Sequence, residues 1–166
     1  ITTARKELNE AITYGKKNNF IFHRETIILN ALVIAEIEND LPTAWQWLKK
    51  NNLEPEQSPL MAYLYGYVAL KNRELDEAIK YLLNAPSGDN YMPLSQIQYL
   101  LGIARLRALN IESIIHFETF IKNHKGQNNI KDAHQKLAWA HLINNNLPAY
   151  HHHMTKVKNT GSATSE

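Results

Sequence analysis

Apolar residues recur with helical spacing between residues 61 and 86. The first stripe contains Tyr63, Gly66, Tyr67 and Leu70, at the three- and four-residue steps of one helix face. A second stripe follows a polar break and ends before Pro86; it contains Leu75, Ala78, Ile79, Leu82 and Ala85. The pattern therefore predicts two antiparallel helices, with small residues at Gly66 and Ala78 that let the two backbones approach closely.

Similar segments recur along the chain at intervals of 34 and 36 residues. The positions of Gly66, Leu75 and Ala78 are taken in the other three copies by Leu32, Leu41 and Ala44, by Gly102, Ile111 and Ile114, and by Ala138, Leu147 and Tyr150. A turn that contains Asn or Asp precedes the Leu75 position in every copy. Near-constant spacing through four copies predicts an all-α array of stacked helical hairpins.

The central helix pair resembles a tetratricopeptide repeat (TPR), a two-helix motif of about 34 residues. Its small and apolar positions are filled by Gly66, Ala78, Leu82 and Ala85, with Pro86 directly after them. Residues 76–81 are typical of the opening of the family's second helix, while the family's leading Trp position is Ala62 here. The resemblance implies a right-handed α-solenoid of about four hairpins plus an N-terminal helix.

We expect residues 1–159 to form one repeat domain, followed by a polar tail at residues 160–166. The predicted hairpins cover about 22–52, 58–86, 91–124 and 129–158, after a first helix that ends near Lys17. The segment from Lys125 to Trp139 is similar to a C-terminal signature in a group of bacterial TPR proteins, and this resemblance covers roughly the last third of the chain. Because the chain starts at Ile1, we expect it to be a piece of a longer bacterial protein.

Composition limits the partners and the chemistry. The net charge is +2, and no run of Lys and Arg exceeds two residues, which argues against nucleic acid as a main partner. A basic patch assembled in three dimensions from scattered residues stays open. The chain has no cysteine, which removes disulfides, thiolate catalysis and Cys-ligated zinc. No apolar run reaches the roughly 18 residues that a membrane span needs, so we expect a soluble protein, cytoplasmic or exported to the periplasm.

The eight histidines suggest a metal site, but their spacing is unfavourable. Consecutive His151, His152 and His153 point in different directions on a helix and cannot all reach one ion. His134 and His141 lie seven residues apart and share a face, so a metal site of these two with one of the trio is one hypothesis. The alternative, which we favour, is that the imidazoles are partly buried or exposed without a metal.

No pattern of catalytic residues is present. Asp76 and Glu77 suit the start of a helix, where negative charge is favourable, and residues 87–89 (SGD) are typical of a polar turn. There is no glycine-rich phosphate loop. We therefore expect no enzymatic activity and no cofactor.

The resemblance to TPR implies a concave groove lined by the first helix of each hairpin. The residues expected there are Leu29, Val33, Tyr63, Tyr67, Lys71, Tyr99, Ile103, Arg107, Gln135 and Trp139. TPR modules that clamp a C-terminal carboxylate place Lys and Asn at these positions, and Tyr63 and Tyr99 replace that Lys here. We therefore expect the groove to hold an apolar or aromatic peptide, or a helix, of a partner protein.

Other interpretations of the function stay open, of which the first two concern the apolar residues of the predicted groove. A further C-terminal segment of the same protein would cover it in one of them. In another, the chain is a structural spacer, or a module that associates with itself as a homodimer. The histidine-based metal or small-ligand site is the third.

Overall fold

The computed structural model describes residues 2–19, 23–51, 54–55, 59–85, 94–127 and 129–160. These residues form nine α-helices and no strand, so the predicted all-α fold is confirmed. The helices are α1 (Thr2–Asn18), α2 (His23–Leu32), α3 (Leu41–Lys50), α4 (Pro59–Lys71), α5 (Leu75–Asn84), α6 (Ile97–Arg107), α7 (Ser113–Asn123), α8 (Ile130–Ile143) and α9 (Leu147–Asn159). A π-helical turn, Val33–Ile37, extends α2, and a short 3₁₀ turn, Leu94–Gln96, leads into α6.

Several predicted boundaries fall outside the described residues. They are the hairpin ends at 22, 52, 58, 86 and 91, and all of the predicted tail except Thr160, which ends the last helical turn. None of the helices in the described part of the chain is long and apolar enough to cross a membrane.

The helices pack as a row of hairpins. Each helix contacts the next one along the chain, and α2, α4, α6 and α8 also contact one another in sequence. The even-numbered helices therefore form one continuous layer, against which α3, α5 and α7 pack. This arrangement of packed pairs agrees with a helical repeat.

The same turn joins the two helices of every hairpin. Its second residue from the helix end is left-handed in each copy, with φ between 55° and 65°, at Asn39, Arg73, Leu109 and Asn145. The next amide then donates to a carbonyl in the last helical turn, as from Glu74 to Ala69 (2.9 Å) and from Asn146 to His141 (2.8 Å). These turns recur at 34, 36 and 36 residues, which is the spacing of the sequence pattern.

Two glycines set how closely the helices of a hairpin approach. A Cβ added at Gly66 would lie 2.5 Å from Leu82 Cγ, and one at Gly102 would lie 2.6 Å from Phe117 Cε1. The close partner of Gly66 is thus Leu82, one turn beyond the expected Ala78. Because any larger side chain would overlap these partners, the small residue is required at both crossings.

The contacts of the two glycines also show that the residue predicted to match Ala78 in the third copy is wrong by one position. Phe117 takes the place of Leu82, so buried Ser113, rather than Ile114, takes the place of Ala78. The reason is that the start of the second helix is tightened by i→i−3 bonds, from Ser113 N to Asn110 O and from Ile114 N to Ile111 O (both 3.1 Å), so the inward-facing position comes one residue earlier. A small residue is therefore retained at this position of the third hairpin.

The core has two parts. The larger part runs from α2 to α6, and the smaller one contains Phe117, Phe120, Ala133 and Leu137 from α7 and α8. No residue of α9 is buried. The central helices are thus the best covered, and they carry the cavity described next.

Candidate functional site

A cavity of about 460 Å³ lies between the π-helical turn, α4 and α6. We call it the central pocket. Its lining consists of tyrosines and aliphatic side chains with a few polar groups: Glu36, Tyr63, Tyr67, Leu70, Lys71, Gln96, Tyr99, Leu100, Ile103 and Asn129. Five of the ten residues predicted for the groove are in this set, namely Tyr63, Tyr67, Lys71, Tyr99 and Ile103.

One wall of the central pocket is built on Tyr63 of α4. Its side chain is 3% exposed, and its hydroxyl donates to Glu36 Oε1 at 2.6 Å. Burial, and then the Glu36 carboxylate, raise the pKa of Tyr63 well above its usual value, so the hydroxyl keeps its proton and donates. The Tyr67 ring stacks on Tyr63 with centroids 6.0 Å apart and planes at 18°, and Lys71 Nζ lies 5.3 Å from the Tyr67 centroid.

The opposite wall is built on Tyr99 of α6. Its hydroxyl donates to Asp132 on α8, and Lys136 donates to the same carboxylate oxygen. Burial, followed by the bond to Asp132, raises the pKa of Tyr99. Its ring also packs against Phe120, with centroids 5.3 Å apart. Each tyrosine is therefore fixed both by a carboxylate and by a neighbouring ring.

The two tyrosines explain why the pocket lies where it does. Tyr63 and Tyr99 occupy the same position of successive copies, 36 residues apart. The Tyr63 hydroxyl donates to Glu36, in the π-helical turn that precedes α4 in the chain. The Tyr99 hydroxyl donates to Asp132 in α8, which follows α6. Because their hydroxyls are held by helices on opposite sides, the space between α4 and α6 is left open.

Glu36 is a pocket residue that the sequence analysis missed. It lies in the π-helical turn, where Glu38 N donates to Val33 O at 3.0 Å across five residues. This wider turn changes which side chains face α4, and a regular helical period does not anticipate it. The available signal was a carboxylate inside an otherwise apolar segment, 33–37 (VIAEI).

The other five predicted groove residues lie outside the central pocket. Leu29 on α2 and Trp139 on α8 are 42% and 44% exposed. Val33 and Gln135 are half-buried, and Arg107 donates to the carbonyl of Leu70 at the end of α4 (3.4 Å). Most of the pocket lining thus comes from the second and third hairpins, with Glu36 from the end of the first helix of the first hairpin and Asn129 from the start of the fourth hairpin.

A second, larger cavity of about 890 Å³ lies beside α1. It is lined by one face of that helix, including Arg5, Asn9 and Tyr14, together with Glu38. It is wide open, and it contains none of the residues predicted for the groove. A surface made largely by one polar helix face lacks the converging walls of a ligand site, so we take the central pocket as the candidate.

Three histidines meet between α8 and α9. His134 Nδ1 lies 3.1 Å from His153 Nδ1, and the rings of His141 and His153 are parallel within 6°. His151 and His152 are exposed. In the described ranges, no three or more His, Asp or Glu side chains are arranged to hold a metal ion.

Comparisons with family models, with curated proteins and with solved structures gave no match to this chain. The resemblance to TPR therefore stays a prediction that rests on the repeated residues and turns.

Proposed function

We propose that the chain is a TPR-like, right-handed α-solenoid that serves as a protein-interaction scaffold or adaptor without enzymatic activity. Support comes from the turn that recurs at 34 and 36 residues and from the continuous layer of even-numbered helices. In such arrays the inner layer of helices carries the binding surface. The central pocket opens between members of that layer.

The occupant we propose is an aromatic or large aliphatic side chain on a peptide or helix of a partner protein. The observation that carries this proposal is the ring-lined central pocket with Tyr63, Tyr67, Tyr99 and Ile103 in its walls. Stacking and apolar burial on such walls are the usual source of energy at interaction hot spots.

The pocket is also ordered before any partner arrives. The hydroxyls of Tyr63 and Tyr99 are bound to carboxylates of neighbouring helices, so their rings lose little freedom on binding. A preformed site lowers the entropic cost of association. Lys71 at the rim lies over the Tyr67 ring and can orient a polar or acidic group that flanks the anchor.

Selection of short random peptides displayed on phage would test the proposal. We expect the enriched peptides to share an aromatic or large aliphatic residue at one position. Tyr67→Ala should weaken their binding by about tenfold or more, as for a hot-spot residue. Tyr14→Ala is the matched control, because Tyr14 is exposed on α1 and distant in sequence from the pocket.

Fluorescence polarisation with the enriched peptides would give the affinities, and circular dichroism would confirm that both variants stay helical. If no peptide is enriched, or if Tyr14→Ala and Tyr67→Ala weaken binding equally, the central pocket is not the binding site.

A further inference from the structure

The face of α8 that meets α9 carries imidazoles and no acid. His134 and His141 are seven residues apart and so lie on one face of α8, where both meet His153 of α9. Asp132 is on another face, where it binds Tyr99 and Lys136. The two sides of α8 therefore have different chemistry, one facing Tyr99 of α6 and the other facing α9.

The contact between His134 and His153 has the geometry of a hydrogen bond. The two Nδ1 atoms are 3.1 Å apart, and the two ring centroids are 5.3 Å apart. The centroid distance is close to the nitrogen–nitrogen distance plus the distance from centroid to nitrogen in each ring. The two nitrogens therefore point almost directly at each other. One ring donates and the other accepts, and the bond requires at least one Nδ1 without a proton.

The charged groups around this pair would oppose a second proton. Those that act on the two rings are His141 on α8 and His152 and Lys156 on α9, all cationic when charged. The other helices that pack on α8 are α6 and α7, and three of their titratable groups are bound elsewhere: Arg105 to Glu112, His116 to Gln98, and Arg107 to the carbonyl of Leu70. Two further charged residues of α7, Glu118 and Lys122, are exposed. Within the described part of the chain, the groups that act on the two rings include no carboxylate that could balance a full charge on both.

We propose that the α8–α9 hairpin is a pH-sensitive clasp, in which the His134–His153 bond holds α9 on α8 and fails when both imidazoles are protonated. With both rings charged, two N–H donors face each other and two positive charges lie in contact. No residue of α9 is buried, so loss of this contact acts on a helix that has no core residue of its own.

The direction in which pH changes the stability of the α8–α9 hairpin follows from the pKa shifts of His134 and His153. Burial, and then the neighbouring cations, lower the pKa of His153 to about 4, and the same causes lower the pKa of His134. The folded hairpin thus binds fewer protons than the unfolded chain, in which a histidine titrates at about 6.5. The stabilisation is complete above about pH 6.5 and is lost as the pH falls towards 4. It does not depend on whether the central pocket binds a partner.

Amide hydrogen exchange measured by mass spectrometry would test the clasp. Exchange in α9 should be compared with exchange in α5, which contains no histidine, between about pH 7 and pH 4.5 after correction for intrinsic rates. In the wild type, protection of α9 relative to α5 should fall with acid, by up to about tenfold per pH unit for each proton taken up.

The informative variant is His153→Asn, because an amide can still bond to His134 but cannot take a proton. We expect its α9 protection to be nearly independent of pH. His151→Asn is the matched control on the exposed side of α9 and should respond to acid as the wild type does. If His153→Asn does not fold, His134→Asn allows the same comparison.

Two results would overturn the proposal. One is a wild-type α9 whose protection relative to α5 does not change with pH. The other is an Asn variant at position 153 or 134 that loses protection in acid as steeply as the wild type does.

Discussion

The second and fourth hairpins are copies of one pattern with very different burial. Nine residues of α4 are buried in the second hairpin, and Ala78 and Leu82 of α5 are buried with them. In the fourth hairpin, α9 has no buried residue, although Met154 stands 72 residues after Leu82 at the same position of the repeat. The difference comes from neighbours, because α5 packs against both α4 and α6, whereas α9 packs mainly against α8. Position in the array, more than the pattern itself, decides how much each copy stabilises the fold.

The largest expected effect is the difference in stability between alanine substitutions at the two equivalent positions, Leu82 and Met154. Leu82→Ala removes a fully buried side chain and should lower the free energy of unfolding by about 2–5 kcal/mol. Met154→Ala, at a half-buried position, should lower it by less than about 1 kcal/mol. Urea unfolding followed by circular dichroism would measure both. Equal losses would mean that the fourth hairpin is as well packed as the second, which contradicts the comparison.

A smaller effect is expected where the helices of a hairpin cross. Gly66→Ala places a Cβ 2.5 Å from Leu82 Cγ and 3.1 Å from the Leu82 backbone nitrogen, so the two helices must move apart. Overpacking costs about 1–3 kcal/mol, and the better helix propensity of Ala offsets about 1 kcal/mol of that. We expect a net loss of up to about 2 kcal/mol in the free energy of unfolding.

The fourth copy supplies the control for this substitution, because it carries Ala138 at the position of Gly66. Ala138 is fully buried and is accommodated there. Ala138→Gly should also destabilise, by about 1–2 kcal/mol, through lower helix propensity and the loss of a buried methyl group. If Gly66→Ala instead stabilised the protein, the close crossing in the second hairpin would not be required.

The sequence predicted the repeat better than it predicted the details of each copy. The turns at residues 39, 73, 109 and 145 follow the predicted spacing, because local residues at each helix end decide such turns. The position of Ile114 was wrong by one residue, since a fixed repeat length cannot show that i→i−3 bonds tighten the chain before α7. The π-helical turn was missed for a similar reason, because it breaks the regular period on which the prediction depended.

The candidate site was only partly predictable. The resemblance to TPR placed the tyrosines Tyr63, Tyr67 and Tyr99 on one surface of the first helices of the hairpins, and all three line the central pocket. The opposite orientations of Tyr63 and Tyr99 could not be predicted, because they depend on Glu36 and Asp132, which belong to two different neighbouring helices. Those long-range partners decide that the cavity opens between α4 and α6, and that Trp139 lies outside it.

The smallest effect concerns the turn that every copy shares. The left-handed residue is Asn in the first and fourth turns and Arg73 in the second, but it is Leu109, with φ of 55°, in the third. A left-handed backbone costs about 1–2 kcal/mol for most residues and less for Asn, whose short polar side chain can hydrogen-bond locally. Since Leu109 is 75% exposed, its side chain contributes little packing that could be lost. We therefore expect Leu109→Asn to stabilise the protein by about 0.5–1 kcal/mol in urea unfolding.

The converse substitution tests whether the copies share one turn. Asn145→Leu places the same residue at the left-handed position of the fourth hairpin and should destabilise by a similar amount. Because the fourth hairpin is the least buried, this loss should be confined largely to faster amide exchange in α8 and α9. Leu109→Asn should instead slow exchange around α6 and α7. If both substitutions changed stability in the same direction, the turns would not be equivalent, and the left-handed backbone would not be the reason that Leu109 is unfavourable.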